Sequence, residues 1–161
     1  MRLGLAGTGR IGAFHAETLR QLADVVVADA DPVRARQTAD KLGVGFAADV
    51  DTLFSSGLDG IVIAAATDAH PDLILRAVAA GLPVFCEKPV ARDVEGTLRV
   101  VDRIASSDVP VQIGFQRRFD AGYLAAREAI AAGRLGWVHT LRAITCDPAP
   151  PPAEYVATSG G

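Results

Sequence analysis

The segment RLGLAGTGRIGAFHAETL, residues 2–19, constrains the chain more than any other. A short apolar run enters glycine, the glycines Gly7, Gly9 and Gly12 follow in the pattern G-x-G-x-x-G, and a stretch with helical spacing comes next. A strand that turns into a helix through such a loop leaves backbone N–H groups free at the helix start, where a pyrophosphate fits. Each glycine has its own task in that reading. Gly7 makes the tight turn, Gly9 lets the backbone approach the phosphates, and Gly12 lets helix and strand pack closely. Arg10 and Ile11 lie inside the same loop and count with it as cofactor contacts. The competing reading is a glycine-rich turn without a ligand. The position of the loop, in the first strand–helix unit of the chain, favours dinucleotide binding.

The units that follow repeat the alternation. Strand patterns at 2–7, 24–30, 44–48, 58–67, 82–86 and 109–115 alternate with helical patterns at 10–23, 31–43, 49–57, 68–81 and 93–107. The strands are continuous apolar runs, as expected of a parallel sheet covered on both faces. The fold class is therefore α/β, a doubly wound parallel sheet, with a dinucleotide-binding Rossmann domain over residues 1–116. The helical spacing sets Ile11, Phe14, Leu19 and Leu22 along the first helix. It places Leu73, Ala77 and Val78 on one face of the fourth, and Val94, Leu98, Val101 and Ala105 on one stripe of the fifth.

The pattern changes after residue 116. A helix over 121–136 stops at glycine, a strand with alternating character is expected over 137–146, and a proline-rich tail closes the chain. Residues 117–161 read as the start of a second domain. A lone strand there leaves the apolar face of Trp137, Leu141 or Ile144 to be covered by another chain or by folding back on the first domain. The last 15 or so residues are expected to be mobile.

Charge and cysteine content narrow the partners. The net charge is −3 and no Lys/Arg-rich run stands out, which argues against nucleic acid or an anionic membrane as partner. No apolar run approaches the roughly 18 residues needed to span a bilayer. The apolar N-terminus is short and broken by glycine, unlike a signal peptide. Cys86 and Cys146 form no disulfide framework, and Cys86 reads as an inert buried thiol. A reducing cytoplasm fits. His15, His70 and His139 show no metal-ligand spacing, so no metal site is expected.

The ends of the strands carry the candidate chemistry, because ligands of open α/β sheets bind at the carboxyl ends of strands. Asp29 closes the second strand 22 positions past Gly7, where an acid accepts hydrogen bonds from the adenosine ribose and disfavours a 2′-phosphate. NAD is favoured over NADP on that ground. Asp31 competes for the role but reads better as a helix cap before Pro32, and Arg34 and Arg36 keep NADP in play. Thr67 and His70 follow the fourth strand. Thr67 is a cofactor candidate, and His70 is either a cofactor contact or a packing or capping residue. His15 reads as packing. The run VFCEKPV, 84–90, ends a buried strand in an acid, a base and a proline. Lys88 is thereby aimed at the nicotinamide end of a bound dinucleotide, where it can bind a substrate hydroxyl, polarise a carbonyl or join a proton relay. Glu87 is placed to bind the nicotinamide ribose or to pair near Lys88, and Pro89 fixes the turn, with a cis peptide available to it. The competing reading is a surface turn with a solvated lysine.

These segments together, GTGRIG, ADADPVRA, ATDAHPDLI, GLPVFCEKPVA and QIGFQRRFD, resemble the Gfo/Idh/MocA family of NAD(P)-dependent oxidoreductases, and above all its inositol 2-dehydrogenase-like members. The resemblance implies a Rossmann domain first and then an α/β domain with a large open sheet that carries much of the substrate pocket. It implies Lys88 as the active-site lysine, with Gln116 near cofactor or substrate and Arg117 near the substrate. The reaction it implies is hydride transfer between a secondary alcohol of a polyol or sugar and C4 of NAD. In such enzymes a segment like SGG leads into a helix with an Asp and, four residues later, a His. This sequence closes at Gly160 and Gly161, and His139 does not match that motif. The resemblance therefore implies the N-terminal, cofactor-binding portion of such an enzyme, with a homo-oligomer or a completing chain as partner. A non-catalytic NAD-binding module or split subunit is the alternative. An unrelated Rossmann enzyme such as a methyltransferase is opposed by the Glu-Lys-Pro triplet.

Overall fold

Six short strands run in one direction and pair in the order β3-β2-β1-β4-β5-β6: β1 Arg2–Ala6, β2 Asp24–Ala28, β3 Gly45–Phe46, β4 Gly60–Ile63, β5 Val84–Glu87 and β6 Val111–Gly114. The computed structural model describes residues 1–146, 149 and 150. Helices α1 Arg10–Leu19, α2 Pro32–Leu42, α3 Val50–Phe54, α4 His70–Ala79, α5 Val94–Ala105 and α6 Ala121–Ala131 make the connections and extend past the sheet. The doubly wound parallel sheet expected from the sequence is the observed fold.

Alternation along each strand explains why both faces are apolar. Val25 and Val27 point to one side with Leu5 and Val62, where Ala16 of α1 and Ala39 of α2 cover them. Val26 and Ala28 point to the other with Ile61, Ile63 and Cys86, under Leu53, Ile74 and Val100 of α3, α4 and α5. Period-two placement with apolar residues at every position needs helices on both sides.

Helix ends follow local chemistry. Asp31 caps α2 by accepting from the N–H groups of Val33 and Arg34, Pro32 opens the helix, and Gly43 ends it in the left-handed region at φ 66°. Asp49, Asp93 and Asp120 cap α3, α5 and α6 in the same manner.

Three expectations from the sequence are corrected. Residues 137–146 form no strand and are exposed. Alternation alone makes no strand where no neighbour accepts the ladder hydrogen bonds, and the sheet ends at β6. Of the apolar residues expected along α1, Leu19 packs against the core, but Ile11 and Phe14 are exposed, and Leu22, beyond the helix, is exposed too. Gly12 and Ala16 occupy the inner face, which brings the helix close to the strands. The stripe of α5 is likewise turned outward, with Val94 74% exposed and Leu98 54%, while Gly96 and Val100 are buried. The face expected for α4 is correct, since Leu73, Ala77 and Val78 are all buried. The tail expected to be mobile lies outside the described residues.

Candidate functional site

The strand order reverses between β1 and β4, which opens a crevice at their carboxyl ends. The glycine loop sits at this point. The Gly7 N–H donates to the Ala28 carbonyl at 2.8 Å, and the Ala64 N–H donates to the Ala6 carbonyl at 2.8 Å, so the tips of β2, β1 and β4 are fastened together.

The three glycines meet different demands. Gly7 has φ 97°, and a Cβ there would lie 2.5 Å from the Ala65 nitrogen. A Cβ on Gly12 would overlap the Gly7 carbonyl. A Cβ on Gly9 would meet nothing within 4 Å. The first two positions are filled by the protein itself, and the third faces open space. The first turn of α1 has no side-chain cap, unlike α2, α3, α5 and α6, so its N–H groups are left for another acceptor. An open cradle with free donors beside Gly9 fits a dinucleotide pyrophosphate. Arg10 and Ile11 are exposed at the same helix start.

Asp29 follows β2 directly, and its side chain is 6% exposed. It accepts from the Thr8 N–H at 2.6 Å and the Thr8 hydroxyl at 2.9 Å, which joins it to the glycine loop. It also accepts from the Asp31 N–H and from Arg34. Burial alone pushes its pKa up, but the Arg34 guanidinium and the Asp31 and Thr8 donors outweigh burial and bring it down to about 2. Asp29 is a carboxylate at neutral pH, as an acceptor for ribose hydroxyls must be. Asp31 is occupied as the α2 cap.

The opposite wall is the β5 end. Glu87 is the last residue of β5 and stands in register with Gly114 of β6. Its Oε1 lies 2.8 Å from His15 Nε2 on α1, and its Oε2 accepts from the Lys88 N–H at 3.3 Å. Lys88 is exposed at this edge, and the Lys88–Pro89 peptide is cis. Gln116 and Arg117 lie in the 3-10 turn Gln116–Phe119 directly beyond β6, and both are exposed. Arg117 lines a cavity of about 400 Å³ with Phe115, Arg118, Tyr123, Leu124 and Arg127. Cys86 is buried one residue earlier, and burial pushes its thiol up to about 12, as an inert sulfur requires.

His70 and Thr67 both lie beyond the end of β4. His70 is 1% exposed, and its Nδ1 and Nε2 lie 2.7 and 3.1 Å from the Pro89 and Ala65 carbonyls. It braces the loop after β4 and the turn after β5 from within. Thr67 stands in the 3-10 turn Thr67–Ala69 and lines a cavity of about 220 Å³ with Asp68, Arg92 and Arg99, toward α5. The sequence reading missed Thr8 as the link from loop to Asp29. A hydroxyl residue at the second loop position was the available signal. It also took His15 for packing alone, and nothing local announces a partner 72 positions away.

Comparison with known proteins bears on the whole chain. The family model GFO_IDH_MocA, described as an oxidoreductase family with an NAD-binding Rossmann fold, matches residues 1–115. An inositol 2-dehydrogenase of Rhizobium meliloti is 38% identical over 100% of this chain and 50% of its own length. A probable dehydrogenase structure from Thermotoga maritima superposes with a TM-score of 0.91 at 35% identity, again over 100% of this chain and 50% of that one. A myo-inositol dehydrogenase of Lactobacillus casei, in complex with NAD(H) and myo-inositol, gives 0.79 at 29% identity, over 84% of this chain and 42% of that one. The chain spans about half the length of the curated relatives it matches. Among the described residues no helix is long and apolar enough to cross a membrane.

Proposed function

The chain belongs to the Gfo/Idh/MocA oxidoreductase family and carries that family's NAD-binding Rossmann domain, and on that premise we propose that it is the cofactor-binding half of a dehydrogenase acting on a cyclic polyol of the inositol type. One observation carries the reading. The open cradle at Gly9, the ionised Asp29 and the exposed Lys88 all lie along the carboxyl edge of one sheet.

In this reading the glycine loop and the first turn of α1 hold the pyrophosphate, with Gly7, Gly9, Arg10, Ile11 and Gly12 as contacts. Asp29 accepts the adenosine ribose hydroxyls, which favours NAD over NADP. NAD, when bound, supplies a hydride acceptor at C4 of the nicotinamide. Lys88 donates a hydrogen bond to the substrate hydroxyl oxygen and orients the carbon that loses hydride. Glu87, fixed by His15, steadies the start of the Lys88 turn, and Gln116 and Arg117 face cofactor or substrate from the β6 end. Residues 1–116 form the cofactor domain and residues 117 onward begin a second one. In support, no residue of α6 is buried against the sheet.

Calorimetric titration of the chain with NAD, followed by an assay for myo-inositol-dependent NADH formation, tests this. Tight NAD binding with turnover supports the whole proposal. NAD binding without turnover supports a binding module, or a half that acts with a partner chain. No NAD binding sinks both.

A further inference from the structure

The backbone that carries Lys88 has few anchors of its own. β5 ends at Glu87, and among the described residues Lys88, Pro89 and Val90 make no hydrogen bond to another backbone group. The Lys88 N–H donates only to the carboxylate of its neighbour Glu87, at 3.3 Å. One bond reaches this turn from another element of the fold. His70 Nδ1 lies 2.7 Å from the Pro89 carbonyl. A carbonyl oxygen only accepts, so this bond needs a proton on Nδ1.

His70 is well placed to hold the turn. It opens α4, and Pro71, Leu73 and Ile74 behind it are buried, which fixes its backbone. The residue is 1% exposed. An Nδ1–H that let go of Pro89 would therefore be left without a partner, and a buried donor without a partner is costly. The other end of the ring meets the Ala65 carbonyl at 3.1 Å. Ala65 itself lies against the glycine loop, since a Cβ on Gly7 would stand 2.5 Å from its nitrogen. The ring thus reaches from the wall of the glycine cradle to the turn beyond β5.

We propose that His70 is a positioning residue for Lys88: its Nδ1–H holds the Pro89 carbonyl and so fixes the turn that presents the lysine at the crevice. The inference rests on the reading of Lys88 as the residue that meets the substrate hydroxyl.

The test compares His70→Asn with His70→Gln by NMR of the full chain. Both changes remove the ring. The Asn amide sets an N–H where Nδ1 stands, whereas the longer Gln amide reaches to the place of Nε2. Backbone order parameters of Lys88 and Val90 are expected at about 0.85 in the wild type and in His70→Asn, and below about 0.6 in His70→Gln. Leu5 and Val27, in the sheet, stay at about 0.85 in all three. Two variants that behave alike at Lys88 and Val90 overturn the assignment, because His70 then only fills space. If neither variant folds, the ring spectrum of the wild-type chain decides: a slowly exchanging proton on Nδ1 supports the hold, and a bare Nδ1 overturns it. In a form that turns over substrate, kcat follows the same order and is lower in His70→Gln than in His70→Asn by about tenfold or more. Order that changes at Lys88 while kcat stays put overturns the reading of Lys88, and the positioning role with it.

Discussion

His15 Nε2 lies 2.8 Å from the Glu87 carboxylate, and the bond ties the helix behind the glycine loop to the strand that presents Lys88. The imidazole also packs edge-on against Phe85, with ring centroids 5.6 Å apart. This half-buried side-chain contact therefore adds to the sheet ladder that joins β1 to β5 through β4.

That contact predicts an energetic coupling. In a double-mutant cycle of His15→Ala and Glu87→Gln, measured by urea unfolding, the interaction term comes out near about 1 kcal/mol, the usual net size of such a hydrogen bond. A term indistinguishable from zero would mean that the pair merely lies close in space.

Much of this site is legible in the sequence because its signals are local. Gly7, Gly9 and Gly12 announce a loop, Asp31–Pro32 announces a cap, and Asp29 stands at a spacing set by one strand–helix–strand unit. What the sequence hides is set by partners far along the chain. His15 and Glu87 are 72 positions apart, and His70 meets the Pro89 carbonyl 19 positions on. The faces of α1 and α5 are misread for a related reason. Their inner residues include the small Gly12, Ala16 and Gly96, which allow close approach, and hydrophobic periodicity gives small residues little weight. A Cβ on Gly96 would lie 2.9 Å from the Ala91 Cβ, so size decides which side packs inward.

The glycine loop separates stability from binding. Gly12→Ala forces a Cβ into the Gly7 carbonyl and should cost about 1–3 kcal/mol of stability, as overpacking does. Gly9→Ala meets open space and should change stability by less than about 0.5 kcal/mol, while NAD affinity falls by about tenfold or more. Thermal unfolding paired with NAD titration reads both. A Gly9→Ala chain that keeps its NAD affinity would remove the pyrophosphate from this loop.

Lys88 is exposed and its side chain anchors no part of the core. In a form of the protein that turns over substrate, Lys88→Ala should lower kcat by about a hundredfold or more, the scale of a lost proton-handling or polarising group. Its NAD dissociation constant should change by less than about threefold. Steady-state kinetics and a separate NAD titration divide the two effects. Equal losses in both would make Lys88 a cofactor ligand and not the residue that handles the hydroxyl.

Asp29 should mark the acid limb of stability. Burial works against its charge, yet Arg34, Asp31 and Thr8 lower its pKa from 3.8 to about 2 in the folded chain. A carboxyl whose folded pKa is depressed adds stability that is complete above the unfolded value and disappears as pH falls through the folded one. The window therefore opens near 3.8 and closes near 2, and the depression corresponds to roughly 2 kcal/mol. Asp29→Asn removes the titration and keeps the shape. Urea unfolding of both chains between about pH 6 and pH 3 should show the wild type ahead at the upper end and the gap narrowing toward the lower. A gap that stays constant across that range would mean that Asp29 stabilises the loop by hydrogen-bond geometry alone, with no contribution from its charge.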